Sequence, residues 1–140
     1  MPTSVSCPAT IDPQEELGRA VFDSKHADRA KRGAIPPKVF QEKTGVRELS
    51  VDRLAHVEAR AAAALQKKFR NRDCRGWAVV QAAFASLNGR SVLADPILPD
   101  QPHHAHILLP QFTEDEAFNT QKQHALELAM KAIWREAPTA

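Results

Sequence analysis

Residues 76 to 94 read GWAVVQAAFASLNGRSVLA, and this stretch decides the fold class. Trp77, Val79, Val80 and Phe84 are bulky and the run carries little charge, which favours extended backbone. Asn88 and Gly89 tolerate the positive φ that a tight type I′ turn demands. The pattern predicts an antiparallel hairpin from Trp77 to Ala94, with SVLA as its returning strand. A direct hairpin also argues against parallel winding, in which single strands alternate regularly with helices.

Downstream, three prolines between Asp95 and Pro102 impose an extended connection, after which HHAHILL reads as a further strand. Thr113 to Glu116 form a capping box braced by Phe112, opening a helix expected to run to about Glu136. Its apolar side takes Ala117, Phe118, Ala125, Leu128, Ala129, Ala132 and Ile133, with Gln121 as a gap and Pro138 beyond its end. Upstream, Leu54, Val57, Ala61, Leu65 and Phe69 recur at spacings of three and four. They predict a helix from Ser50, as N-cap with Asp52 in the first turn, to about Asn71.

GRAVF at 18–22 has the character of a short strand, and the basic run Ser24 to Gly33 reads as a loop or one short helix. Ile35, Pro36 and Pro37 are extended, and a turn follows at Lys43 to Gly45. Residues 1–17, with Pro2, Pro8 and Pro13 and no period, form a flexible N-terminal arm; residues 18–140 form one domain. The fold expected is α+β, a small mainly antiparallel sheet with two long helices packed on one face.

The length of 140 residues suits a single domain, and 23 of the apolar positions are alanine, so the core is lean. No apolar run approaches the ~20 residues of a membrane span, and the first residues lack a signal peptide's basic flank and apolar stretch. Cys7 and Cys74 make neither a disulfide framework nor a zinc knuckle. A cytoplasmic protein with no membrane contact is the expectation.

The net charge of +2 averages over an uneven chain. Residues 1–18 hold three acids and no base, residues 19–75 hold 15 bases against seven acids, and residues 76–140 hold four bases against seven acids. The central excess of eight positive charges is what attracts phosphates. Two clusters carry most of it. Ser24, Lys25, His26, Arg29, Lys31 and Arg32 precede Gly33, which permits close backbone approach, although no phosphate-loop fingerprint is present. Lys67, Lys68, Arg70, Arg72 and Arg75 follow at the end of the first long helix, in excess of what the helix dipole uses. Phe69 among them is assigned to the core rather than to base stacking.

His103, His104 and His106 supply the other chemistry. On a strand, His104 and His106 share one face with His103 on the other, and such a pair can exchange protons near neutrality. Two imidazoles are half a metal site, so no metal and no cofactor are expected. Leu108 stands where an alternating three-histidine hydrolase strand would need its third ring. Ser50, Asp52 and Arg53 sit at a strand-to-helix junction, where capping explains them, and Cys74 lies among cations that lower a thiol pKa.

The leading functional reading is a binding module for nucleic acid or a phosphorylated ligand through residues 19–75. One alternative is a phosphoester- or nucleotide-processing enzyme using His104 and His106. That reading requires one of them to share a cleft with Ser24, Lys25 or an arginine of the basic half. The other alternative is a protein-interaction module, a homodimer or a receptor for an acidic partner.

Overall fold

A computed structural model describes residues 7–138. Six strands, β1 (Glu16–Val21), β2 (Glu48–Arg53), β3 (Gly76–Gln81), β4 (Ser91–Ala94), β5 (His104–Leu108) and β6 (Ile133–Glu136), form one open sheet in the order β4-β5-β2-β1-β3-β6. Every pairing is antiparallel. Four helices accompany them, α1 (Ser24–Lys31), α2 (Ala59–Arg70), α3 (Ala82–Ala85) and α4 (Ala117–Lys131).

The two long helices, α2 and α4, take opposite faces of the sheet rather than one. GWAVV in β3 is apolar on both sides, and strand alternation sends Ala78 and Val80 one way and Trp77 and Val79 the other. Ala78 and Val80 join Leu17, Leu49, Val51, Ala105 and Ile107 under Ala125, Leu128 and Ala129 of α4. Trp77 and Val79 pack with Ala62 of α2 and with Leu54 and Val57. A strand buried on both faces needs cover on both.

The Trp77–Ala94 hairpin does not form. Three strands separate β3 from β4, because the chain leaves β3 through α3 and β4 pairs only with β5. The turn chemistry is nevertheless as read, with Asn88 at φ 58° and Gly89 at φ 85°. Ser50 and Asp52 also depart from expectation. ELSVDR alternates and becomes β2, and α2 begins only at Ala59, behind a 3-10 turn at Leu54–His56, with no side-chain cap from Glu58. The final helix ends at Lys131, and IWRE instead pairs with β3 as an edge strand. Gly76 is what admits that edge, since a Cβ there would meet the Arg135 carbonyl and the Trp134 ring.

Of the arm read from the sequence, residues 1–6 lie outside the described residues. The remainder is bonded: Arg53 Nη1 donates to the Pro8 carbonyl at 2.6 Å, Ala83 N to Pro13 O at 2.7 Å, and Ile11 packs on the core. The boundary drawn after residue 17 falls inside β1.

The feature that creates a site is a split in the sheet. β1 pairs with β3 along all six residues, but with β2 only at Leu17↔Arg53 and Gly18↔Asp52. Beyond Gly18 the two strands part. Arg19 fills the gap, its Nε donating to Val39 O at 3.0 Å, Nη1 to Ser50 O at 3.0 Å and Nη2 to Glu42 Oε2 at 2.7 Å.

Candidate functional site

The split opens into a cavity of about 460 Å³ lined from β1 and the turn after it, from Ser50 of β2, from Lys38 to Glu42, and from the end of α2. Arg19, His26, Lys38, Arg70 and Arg72 face it together with the carboxylates of Asp23 and Glu42. Both carboxylates are engaged. Asp23 caps α1, accepting from the backbone N–H of His26 and Lys25, and these bonds hold its carboxyl below its ordinary pKa. Glu42 is paired with Arg19. Lys38, Arg70 and Arg72 have no ion-pair partner among the described residues, and Arg72 lies over the Phe22 ring, 5.4 Å from its centroid. The cavity is thus left with a positive balance.

A second cavity of about 330 Å³ adjoins the first, and Ser50, Gln66 and Arg70 line both. His104 opens into it beside Phe69, Ile97 and Gln101. On β5, His104 and His106 lie on one face as expected, opposite Asp52 and Ser50 of β2. Asp95 binds them both. His104 Nδ1 donates to the Asp95 carbonyl at 2.9 Å, and the Asp95 carboxylate lies 3.3 Å from His104 Nδ1 and 3.5 Å from His106 Nδ1. A carbonyl only accepts, so the neutral His104 ring carries its proton on Nδ1 and leaves Nε2 as the base. Among the described residues, no group of three or more His, Cys, Asp and Glu side chains converges as a metal site.

The residues singled out from sequence are divided by the fold. His26, Arg70 and Arg72 meet in the first cavity, and His104 shares the second with Arg70. Lys25, Arg29 and Arg32 are exposed on α1 or just after it. Ser24 and Lys31 line a separate hollow with Asp28, Asp73 and Glu136, where Lys31 pairs with Glu136 at 3.4 Å. Lys67 pairs with Asp73 at 3.0 Å and Lys68 with Asp100 at 3.5 Å. His106 lines neither of these two cavities. Sequence reasoning missed Arg19, Lys38 and Gln66, and it took Ser50 for a cap. Only Ser50 left a signal, as the polar alternate of a β-period.

Other polar groups are structural. His103 and Trp77 converge on Asp52, which is 1% exposed, and Gln66 donates to the same carboxylate while also lining both cavities. Burial pushes the Cys74 thiol up to about 11, against the lowering that its cationic sequence neighbours suggest.

Fold and site together define an open antiparallel α+β protein with a cation-lined cleft where two central strands diverge. No family model matches the chain, and neither does any curated protein or solved structure.

Proposed function

We propose that this protein is a binding module for a phosphorylated ligand, held in the cleft between β1 and β2. The observation that carries it is the convergence of Lys38, Arg70 and Arg72 beside His26, on a cavity whose carboxylates already have partners. Guanidinium groups donate in a fork that suits phosphate oxygens, and a concave site screens less than an open face. Nucleic acid is the weaker form of this reading, because Lys31, Lys67 and Lys68 are offset by Glu136, Asp73 and Asp100 on the open surface. Titration with inorganic pyrophosphate at low salt is the test. Binding is expected to weaken as salt rises, and Arg70→Glu/Arg72→Glu to reduce it at least tenfold while the exposed positions leave folding unchanged. No binding of pyrophosphate at low salt overturns the reading.

A second reading, phosphoester hydrolysis, is favoured by His104, whose ring in its neutral form has its free nitrogen at Nε2 and whose cavity includes Arg70. Water attacking phosphorus would pass its proton to Nε2 as the ester oxygen departs, with Arg70 on the phosphoryl oxygens. Turnover of a phosphodiester panel that vanishes in a folded His104→Ala supports it, and no turnover by the native protein removes it.

A further inference from the structure

We infer that the ligand is a nucleoside phosphate whose base stacks on Phe69 in the second cavity, an assignment that rests on the phosphate reading above. Phe69 closes the apolar stripe of α2 by spacing, yet its side chain is outside the core. It is 50% exposed, whereas Ala62 on the same helix is 1% exposed. The stripe misleads because α2 rests on the sheet through small residues, Ala59, Ala62 and Ala63, while Lys68 in its last turn pairs with Asp100 of the 95–102 connection. The Phe69 ring stands half in water at the wall of a cavity, with the Lys68 ammonium 5.3 Å from its centroid, and its remaining apolar surface is what an aromatic heterocycle covers.

The other walls suit a base in kind. Ile97, 45% exposed, adds apolar surface from the connection, and Gln101 brings an amide able both to donate and to accept. Gln66 directs its amide NH₂ to Asp52, at 3.2 and 3.4 Å, which leaves its carbonyl oxygen as an acceptor. A ring with N–H donors and acceptor nitrogens is answered here; a bare sugar phosphate would leave the apolar surface uncovered. Position supplies the remaining argument. Arg70 directly follows Phe69 and lines both cavities, so the cationic end and the aromatic end of the cleft are adjacent residues of one helix. A single molecule with a phosphate at one end and a base at the other spans them.

Calorimetric titrations with AMP and with ribose 5-phosphate, at low salt, separate the base from the phosphate. AMP is expected to bind roughly tenfold more tightly than ribose 5-phosphate. Phe69→Ala should remove most of that difference while leaving ribose 5-phosphate affinity unchanged, and Phe69→Tyr should retain it. Near-ultraviolet dichroism checks that both variants are folded. Equal affinity of the native protein for the two probes overturns the base site and leaves the phosphate site standing. An AMP advantage that is undiminished in Phe69→Ala overturns it as well. Binding of neither probe removes the phosphate reading and this inference together.

Discussion

The indole N–H of Trp77 donates to Oδ2 of Asp52 at 3.0 Å, reaching from β3 to β2 over the intervening strand β1 at Gly18. Glycine is what leaves the passage open, since a Cβ at position 18 would lie 2.9 Å from Trp77 Cδ1 and 2.8 Å from Leu54 Cδ1. Strands β2 and β3, α2 through Gln66, and His103 just before β5 are thereby joined at one buried carboxylate. Trp77→Phe removes the bond and also one ring of a fully buried indole, and should cost at least the roughly 1.5–3 kcal/mol of a hydrogen bond to a charged group, with the void adding to it. Asp52→Ala should cost more, as it strands the Trp77 N–H and the His103 and Gln66 partners. Urea unfolding midpoints of the two variants read this directly, and equal, negligible losses would refute it.

The same carboxylate explains what could and could not be read from the chain. Leu49 and Val51 mark a strand, but Ser50 and Asp52, which alternate with them, look like a helix start, because a buried aspartate is rare and its partner Trp77 is 25 positions away. GWAVV was legible as a strand, and Asn88-Gly89 as a positive-φ turn, for both are local properties. Which strand β4 joins depends on tertiary pairing with β5, which no turn residue encodes. Charge behaved likewise. The basic excess of residues 19–75 is real along the chain, but in space Lys31 meets Glu136 and Lys68 meets Asp100, both from the acidic part. The cleft was invisible because it arises where β1 and β2 cease to pair.

Arg53 and Glu15 form a buried bidentate pair at 2.6 and 3.1 Å, with side chains 1% and 4% exposed. Arg53 also fastens Pro8. Arg53→Ala should destabilise by roughly 3–5 kcal/mol, because it removes both guanidinium bonds from the buried Glu15 carboxylate and leaves it only the Asp12 N–H at 3.3 Å and His56 Nε2 at 3.6 Å. Adding Glu15→Ala should recover part of that loss. A double-mutant cycle by guanidinium unfolding measures the coupling, and strictly additive losses would contradict it.

Arg90 and His124 predict an acid limb in stability. Burial, then the Arg90 guanidinium donating to Nδ1 at 2.8 Å, hold His124 below its ordinary 6.5. Below about pH 6.5 the unfolded chain takes a proton that the folded protein resists, so stability is lost as pH falls. Glu127 is held below its ordinary 4.5 by side-chain bonds from Arg90 and Asn88; its contribution, present above 4.5, is lost as pH falls through the folded value. The stability gap between native protein and His124→Gln should therefore narrow from pH 7 to 5, as thermal unfolding would record. A gap that stays constant or widens disproves the assignment.

Cys74 should be a slow thiol. With its pKa pushed up to about 11, roughly one part in a thousand is thiolate at pH 8. In Cys7→Ser, disulfide exchange with an aromatic disulfide reagent should rise about tenfold per pH unit from 7 to 10. A rate that levels off near pH 8 would show an ordinary exposed thiol.

Cations that carry the same charge should differ in their effect on ligand binding according to their partners. Lys67 and Lys68 are already opposed by Asp73 and Asp100 on the open surface, whereas Lys38, Arg70 and Arg72 line the cleft with no ion-pair partner among the described residues. Removing an exposed lysine from the open surface changes the field in the cleft little, since solvent and salt screen it. Lys67→Ala and Lys68→Ala are accordingly expected to lower pyrophosphate affinity by about twofold or less. Lys38→Ala, Arg70→Ala and Arg72→Ala each remove a donor from the cavity, where a charged hydrogen bond is worth about 1.5–3 kcal/mol, and should lower it roughly ten- to a hundredfold. Each of the three should also flatten the dependence of log affinity on log salt. Five titrations at two salt concentrations distinguish a built cleft from a diffuse basic surface, on which all five substitutions would weaken binding alike.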